Sequence, residues 1–182
     1  MAERLETKLE GVALIEPQVF GDERGFFVET FSLDSWAGLG VDASFVQHNH
    51  SRSSKGTLRG LHFQTHPGQA KLLRCPRGSI FDVAVDLRKD SATYGQWEGH
   101  VLDDVKHHQL YVPVGFAHGF CVLSDVADVT YLVSSLYDPE TEAGIRWNDP
   151  EVGVEWPVAE PLLSKRDIEA PLLSEVAAGL PF

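Results

Sequence analysis

Apolar and polar residues alternate with a period of two in short runs cut by Gly, Pro and Asp, and this constrains the fold more than any other feature. Phe81, Val83, Val85 and Leu87 fall on one side of an extended segment, with Asp82, Ala84 and Asp86 on the other. That is the spacing of a strand. Val129, Tyr131 and Val133 repeat it against Asp128, Thr130 and Leu132. Further strands are expected at 12–15, 25–31, 45–49, 58–64, 72–75, 96–102, 109–112 and 119–122, separated by turns such as Pro76-Arg77-Gly78 and Pro113-Val114-Gly115. About ten short strands in one domain spanning 1–182 point to an all-β sandwich or barrel.

Helical signal is confined to two places. Residues 32–39 have Ser32 as N-cap and Gly40 as a stop, and residues 170–178 have Pro171 in the first turn and Gly179 behind. The stretch from Trp156-Pro157 to Pro161 marks the passage from a barrel at about 11–157 to a C-terminal tail at about 158–182.

Asp and Glu number 27 against 15 Lys and Arg, a net charge of -12. That balance excludes nucleic acid and anionic membrane as default partners. The N-terminal residues mix both signs with no apolar core, and no run approaches the ~18 apolar residues of a membrane span. With only Cys75 and Cys121 there is no disulfide framework, so a soluble cytoplasmic protein is expected.

Residues 43–81 contain no Asp or Glu but hold Arg52, Lys55, Arg59, Lys71, Arg74 and Arg77. A window with one sign excluded suggests an anionic ligand, the alternative being strands buried by chance without acid. The window also carries His48, His50, His62 and His66, and a histidine with a lysine in a basic pocket fits acid/base work. His48 and His50 lie on one strand face, as in metal-holding barrels, but the residues after them are Ser and cationic, which disfavours a dication. His100, His107 and His108, near Asp103-Asp104, read as a solvated loop. No Gly-rich cradle for a dinucleotide or nucleoside triphosphate is present.

Several ordered blocks are more specific. Asp22-Glu23-Arg24-Gly25-Phe26-Phe27-Val28-Glu29, Gln47-His48-Asn49-His50-Ser51, Leu58-Arg59-Gly60-Leu61-His62-Phe63-Gln64 and Ala70-Lys71-Leu72-Leu73-Arg74 are followed by Tyr111-Val112-Pro113-Val114-Gly115-Phe116-Ala117-His118-Gly119, Tyr137-Asp138-Pro139-Glu140-Thr141-Glu142 and Trp147-Asn148-Asp149-Pro150. Together they resemble the dTDP-4-dehydrorhamnose 3,5-epimerase family over about residues 11–167. The resemblance implies a cupin-type jelly-roll barrel with short flanking helices, usually a homodimer, without metal or organic cofactor. It also implies conversion of dTDP-4-dehydro-6-deoxy-D-glucose into dTDP-4-dehydro-L-rhamnose. The C4 ketone acidifies the hydrogens on both neighbouring carbons, so one carbonyl serves as electron sink for inversion at C3 and C5.

By the same resemblance His62 is the base, Asp167 the carboxylate that orients it, Lys71 the cation for the C4 oxyanion, and Tyr131 the acid on the opposite face. Arg24, Arg59 and Arg166 are implied for anionic oxygens, Glu29, Gln47, Asn49, His118 and Glu142 for hydrogen bonds, and Tyr137 for stacking on thymine. Without the resemblance Tyr131 reads as a core aromatic between Val129 and Val133. Two positions depart from the family pattern: Arg166 stands before the dyad carboxylate where Lys is usual, and His48 stands between Gln47 and Asn49 where Asp is common. Period two also puts Arg59 and His62 on opposite faces unless Gly60 hosts a bulge. The alternatives are an enzyme inverting a single centre of a related dTDP-4-keto-deoxysugar, a non-catalytic sugar-nucleotide-binding barrel, and a metal-dependent oxygenase.

Overall fold

Thirteen strands and three short helices run in the order β1 (Glu3–Leu5), β2 (Ala13–Glu16), β3 (Val19–Asp22), β4 (Gly25–Val28), α1 (Leu33–Ala37), β5 (Gln47–Ser54), β6 (Leu58–Gln64), β7 (Lys71–Arg77), β8 (Ser79–Asp86), β9 (Trp97–Asp103), β10 (Gln109–Val112), β11 (Phe116–Val122), β12 (Val126–Val133), β13 (Glu142–Gly144), α2 (Lys165–Ile168) and α3 (Leu173–Val176). This computed structural model describes residues 1–182. Two antiparallel sheets face each other, one ordered β1-β2-β10-β7-β12-β5 and the other β13-β6-β11-β8-β9, while β3 and β4 form a separate hairpin. The crossovers between non-consecutive strands make the expected jelly roll.

Between the sheets, one end is filled by Leu14, Leu73, Ile80, Leu102, Leu110, Phe116, Phe120 and Val129. Removing a side chain the size of Leu73 from such a core costs about 2–5 kcal/mol. The other end carries polar side chains and remains open. Phe81, Val83, Val85 and Leu87 share one face as their alternation requires, on the outside of the five-stranded sheet. Ile145, Val152, Leu173 and Leu180 cover that face, which is why β8 is buried on both sides. On the outside of the six-stranded sheet, Trp36 of α1 packs with Ile15, Leu72 and Tyr111.

Several expectations are corrected. The 25–31 strand ends at Val28 and pairs with β3, and β5 runs to Ser54 along its full register with β12. Residues 170–178 form only α3 and a following 3₁₀ turn at Ala177–Gly179, with Pro171 preceding the helix, while α2 was not anticipated. Ser32 holds the N-cap position without a side-chain bond. The stretch expected as a solvated loop places His100 in β9 and buries His107 and His108.

The irregularity at Gly60 is present. Opposite β11, His118 pairs with His62 and Phe120 with Arg59, so three steps on β6 match two on β11. Gly60 has φ +136, and a Cβ there would lie 2.5 Å from Gly119 Cα. The bulge brings Arg59 and His62 to the same cavity.

Candidate active site

The open end of the barrel holds a cavity of about 710 Å³. Its walls come from both sheets. From the five-stranded sheet come Arg59 and His62 (β6), His118 and Phe120 (β11) and Glu142 (β13); from the six-stranded sheet come Gln47 and Asn49 (β5), Lys71 (β7) and Tyr131 (β12). Tyr137 lines the mouth, and the C-terminal segment closes one side with Ser164, Arg166 and Asp167.

His62 Nε2 lies 2.5 Å from Asp167 Oδ1. Ser164, the N-cap of α2, donates its hydroxyl to Asp167 Oδ2 and accepts from the Asp167 amide. Burial alone would raise the Asp167 carboxyl, but His62 and Ser164 hold it below the ordinary value, so it stays an anion beside the imidazole. With Nε2 engaged, Nδ1 is the ring nitrogen left for a ligand.

Lys71 Nζ donates to the His62 carbonyl at 3.3 Å. Burial pulls its ammonium down to about 8, against Glu142 and Asp82, which favour the charge. Tyr131 lines the same cavity from the opposite sheet; burial raises its phenol, and Arg59 works in the other direction. Its ring also packs on the core, so the core reading and the cavity reading are both true of it. Arg166 and Glu142 pair at 2.6 Å, and Arg59 Nε donates to Ser53 at 3.1 Å.

Of the residues singled out by the resemblance, Arg24 and Glu29 are not in this cavity: both lie exposed at the hairpin, where Arg24 pairs with Asp22. His48 points away from Gln47 and Asn49, because β5 alternates, so its departure puts no charge inside. His50 shares that outer face, 3.4 Å from Asp128, whose carboxylate is gripped by Arg52. An acid thus does stand beside the two-histidine strand, supplied by β12, and it faces away from the cavity. Of the six cations of the 43–81 window, only Arg59 and Lys71 line the site; Lys55 and Arg77 are exposed, and Arg74 is half-buried elsewhere.

Sequence reasoning missed Asp82. Both its carboxylate oxygens lie 3.0 Å from His118 Nε2. Burial raises the carboxyl and lowers the imidazole, each limited by the other. The available signal was an acid inside a strand whose neighbours are all apolar. Leu162, Leu163 and Ser164 were also missed, because the tail returns to the barrel through a bridge from Leu162 to Thr57.

An imidazole paired with a carboxylate shares this cavity with a phenol and an ammonium carried by the facing sheet, groups suited to moving a hydrogen from one face of a carbon to the other, and this jelly roll is an isomerase. The chain belongs to the dTDP-4-dehydrorhamnose 3,5-epimerase family, whose model matches residues 6–175. It is 51% identical over 166 residues to the dTDP-4-dehydrorhamnose 3,5-epimerase of Shigella flexneri, covering 90% of this chain and 92% of that one. The enzyme of the same description from Neisseria gonorrhoeae is 52% identical over 166 residues, and the chain spans 50% of its length. Among solved structures, the dTDP-6-deoxy-D-glucose-3,5-epimerase of Legionella pneumophila in complex with dTDP-4-keto-L-rhamnose superposes with a TM-score of 0.95 at 44% identity, covering 99% of this chain and 97% of that one.

Proposed function

We propose that this chain, acting as one unit over 1–182, inverts C3 and C5 of dTDP-4-dehydro-6-deoxy-D-glucose to give dTDP-4-dehydro-L-rhamnose. The observation that carries the reading is the placement of His62 and Tyr131 on opposing sheets of one cavity, with Lys71 bonded to the backbone of His62. His62 Nδ1 takes the proton from C3 as the C–H electrons move into the C4 carbonyl. Lys71 stabilises the resulting enolate oxygen. Tyr131 delivers a proton to the opposite face, the carbonyl re-forms, and the same sequence serves C5. Between the two inversions His62 sheds its proton and Tyr131 regains one from solvent. Because the substrate's own ketone is the electron sink, the reaction calls for no metal or organic cofactor.

Arg59 and Arg166 suit the diphosphate, since a guanidinium gives paired hydrogen bonds to phosphate oxygens, and Tyr137 at the mouth suits the thymine ring. Gln47, Asn49, His118 and Glu142 supply the remaining polar contacts. A cytoplasmic working place is supported by two cysteines that are both free and buried.

We infer further that the working form is a homodimer. Phe20, Phe26 and Phe27 on the hairpin are 55%, 58% and 69% exposed, an apolar surface with Arg24 and Glu29 beside it. A second copy covering this hairpin gives those two residues a cavity to enter, which their own barrel does not offer. Sedimentation of the wild type and of Phe27→Asp tests this: a wild type that sediments as a monomer at working concentration sinks it.

Proton NMR in deuterated water tests the reaction. Inversion with deuterium incorporation at both C3 and C5 is expected. Incorporation and inversion at one carbon only would make the chain a single-centre epimerase, and binding without exchange would make it a non-catalytic sugar-nucleotide barrel.

A further inference from the structure

Beyond the end of β12 the chain leaves the sheet, and residues 135–138 carry Tyr137 over the cavity mouth. Their backbone is held by glutamine side chains. Gln69 Nε2 donates to the Ser135 carbonyl at 3.0 Å, Gln64 Nε2 to the Leu136 carbonyl at 3.3 Å, the Tyr137 amide to Gln47 Oε1 at 3.1 Å, and the Asp138 amide to Gln64 Oε1 at 3.4 Å. Gln69 Nε2 also donates to Gln64 Oε1 at 3.1 Å, which joins two of the three carboxamides.

Gln64 is the centre of this arrangement. It is 3% exposed, although a primary amide buried to that degree is costly unless its donors and acceptors are met. Two residues before it on β6, and on the same inward face, stands His62. Opposite it on β13 stands Glu142, which the Tyr137 hydroxyl faces. One side chain therefore links the strand of the base to the loop of the mouth aromatic. The nucleotide is held at one end of the substrate and the reacting carbons are at the other, so the placing of Tyr137 relative to His62 sets how well the nucleotide end is gripped while the sugar lies at the base.

We propose that Gln64 is a positioning residue for Tyr137: it sets the loop so that the thymine-binding ring is presented at a fixed distance from His62. This rests on the reading of the site as one for a dTDP-sugar. An apolar replacement leaves the Leu136 carbonyl and the Asp138 amide without these partners and takes from the Gln69 amide one of its two acceptors.

The test is a double-mutant cycle in the full chain between Gln64→Leu and Tyr137→Ala, read by calorimetric binding of dTDP and by steady-state turnover. Gln64→Leu is expected to weaken dTDP about tenfold and raise KM in step, with kcat within about twofold. In the Tyr137→Ala background the same change is expected to add less than about twofold, because the ring it positions is gone. A purely structural role for Gln64 would instead give losses that multiply. Multiplying losses, or dTDP affinity equal to wild type in Gln64→Leu, overturn the proposal. Should Gln64→Leu not fold, Gln64→Glu replaces it in the cycle, keeping both acceptor bonds and losing the donor to Leu136, with the same two outcomes decisive. A wild type that neither binds dTDP nor turns over the 4-keto sugar sinks the reading of the site itself, whereas normal wild-type behaviour with a multiplicative cycle sinks only the role of Gln64.

Discussion

The Lys71 ammonium donates to the backbone carbonyl of His62, bridging the two sheets at the wall of the cavity. Its burial makes the charge conditional on pH. Since the folded value is about 8, the ammonium is present below that pH and is lost as pH rises through it. The alkaline limb of kcat/KM should therefore fall with a midpoint near 8. Lys71→Met should lower kcat about 10²- to 10³-fold and abolish that limb. A limb that survives in Lys71→Met belongs to another group.

His62→Ala is expected to reduce solvent exchange at both C3 and C5, by about 10²- to 10⁴-fold, since neither enolate forms without the base. NMR of the substrate in deuterated water reads both positions at once. Washout of C3-H at the wild-type rate in a folded variant removes His62 from that role.

Tyr131→Phe keeps the ring packed on the core and removes only the hydroxyl. Deprotonation by His62 continues, but the opposite-face donor is gone, so deuterium should enter with retention faster than epimer accumulates. The ratio of exchange to inversion should rise about tenfold or more. An unchanged ratio assigns the delivery to water or another residue.

Away from the site, Asp86 accepts from the Arg88 amide, Nε and guanidinium and from the Ser91 and Thr93 hydroxyls, at 2.6 to 2.9 Å. Burial opposes the charge, yet these bonds outweigh it and bring the carboxyl from 3.8 down to about 2. A depressed carboxyl stabilises the fold above its ordinary value and loses that contribution as pH falls through the folded value. Asp86→Asn should cost about 2 kcal/mol at neutral pH and flatten the decline of stability between about pH 4 and 2, as measured by denaturant unfolding. Parallel acid limbs in the two proteins would refute it.

Period two made most strands of the barrel legible, since each turns one side to the core between the sheets. It could not reveal β1, β3, β13 or α2: these are three or four residues long, and their pairing is decided by distant chain rather than by local pattern. The same alternation hid Asp82. An acid opposite Val83 and Val85 reads as a solvent-facing residue, but the C-terminal segment covers the outer face of β8, so the apolar side turned outward and the acid inward. His62, Lys71 and Asp167 were legible as a group only through the ordered blocks, because three elements distant in sequence bring them together. The opposite aim of His48 was available in its spacing from Gln47 and Asn49. The basic window promised a cluster that the strands disperse over both faces.

Gly60 and Gly119 constrain each other. A Cβ on Gly60 would stand 2.5 Å from Gly119 Cα, and one on Gly119 would stand 2.8 Å from the Arg59 carbonyl and 3.1 Å from Gly60 Cα. Neither position can gain a side chain while the other strand stays where it is, and moving that strand displaces Arg59, His62 and His118 together. The two glycines therefore act as a single lock: a side chain at either one springs the bulge, and with it the shared aim of Arg59 and His62 into one cavity.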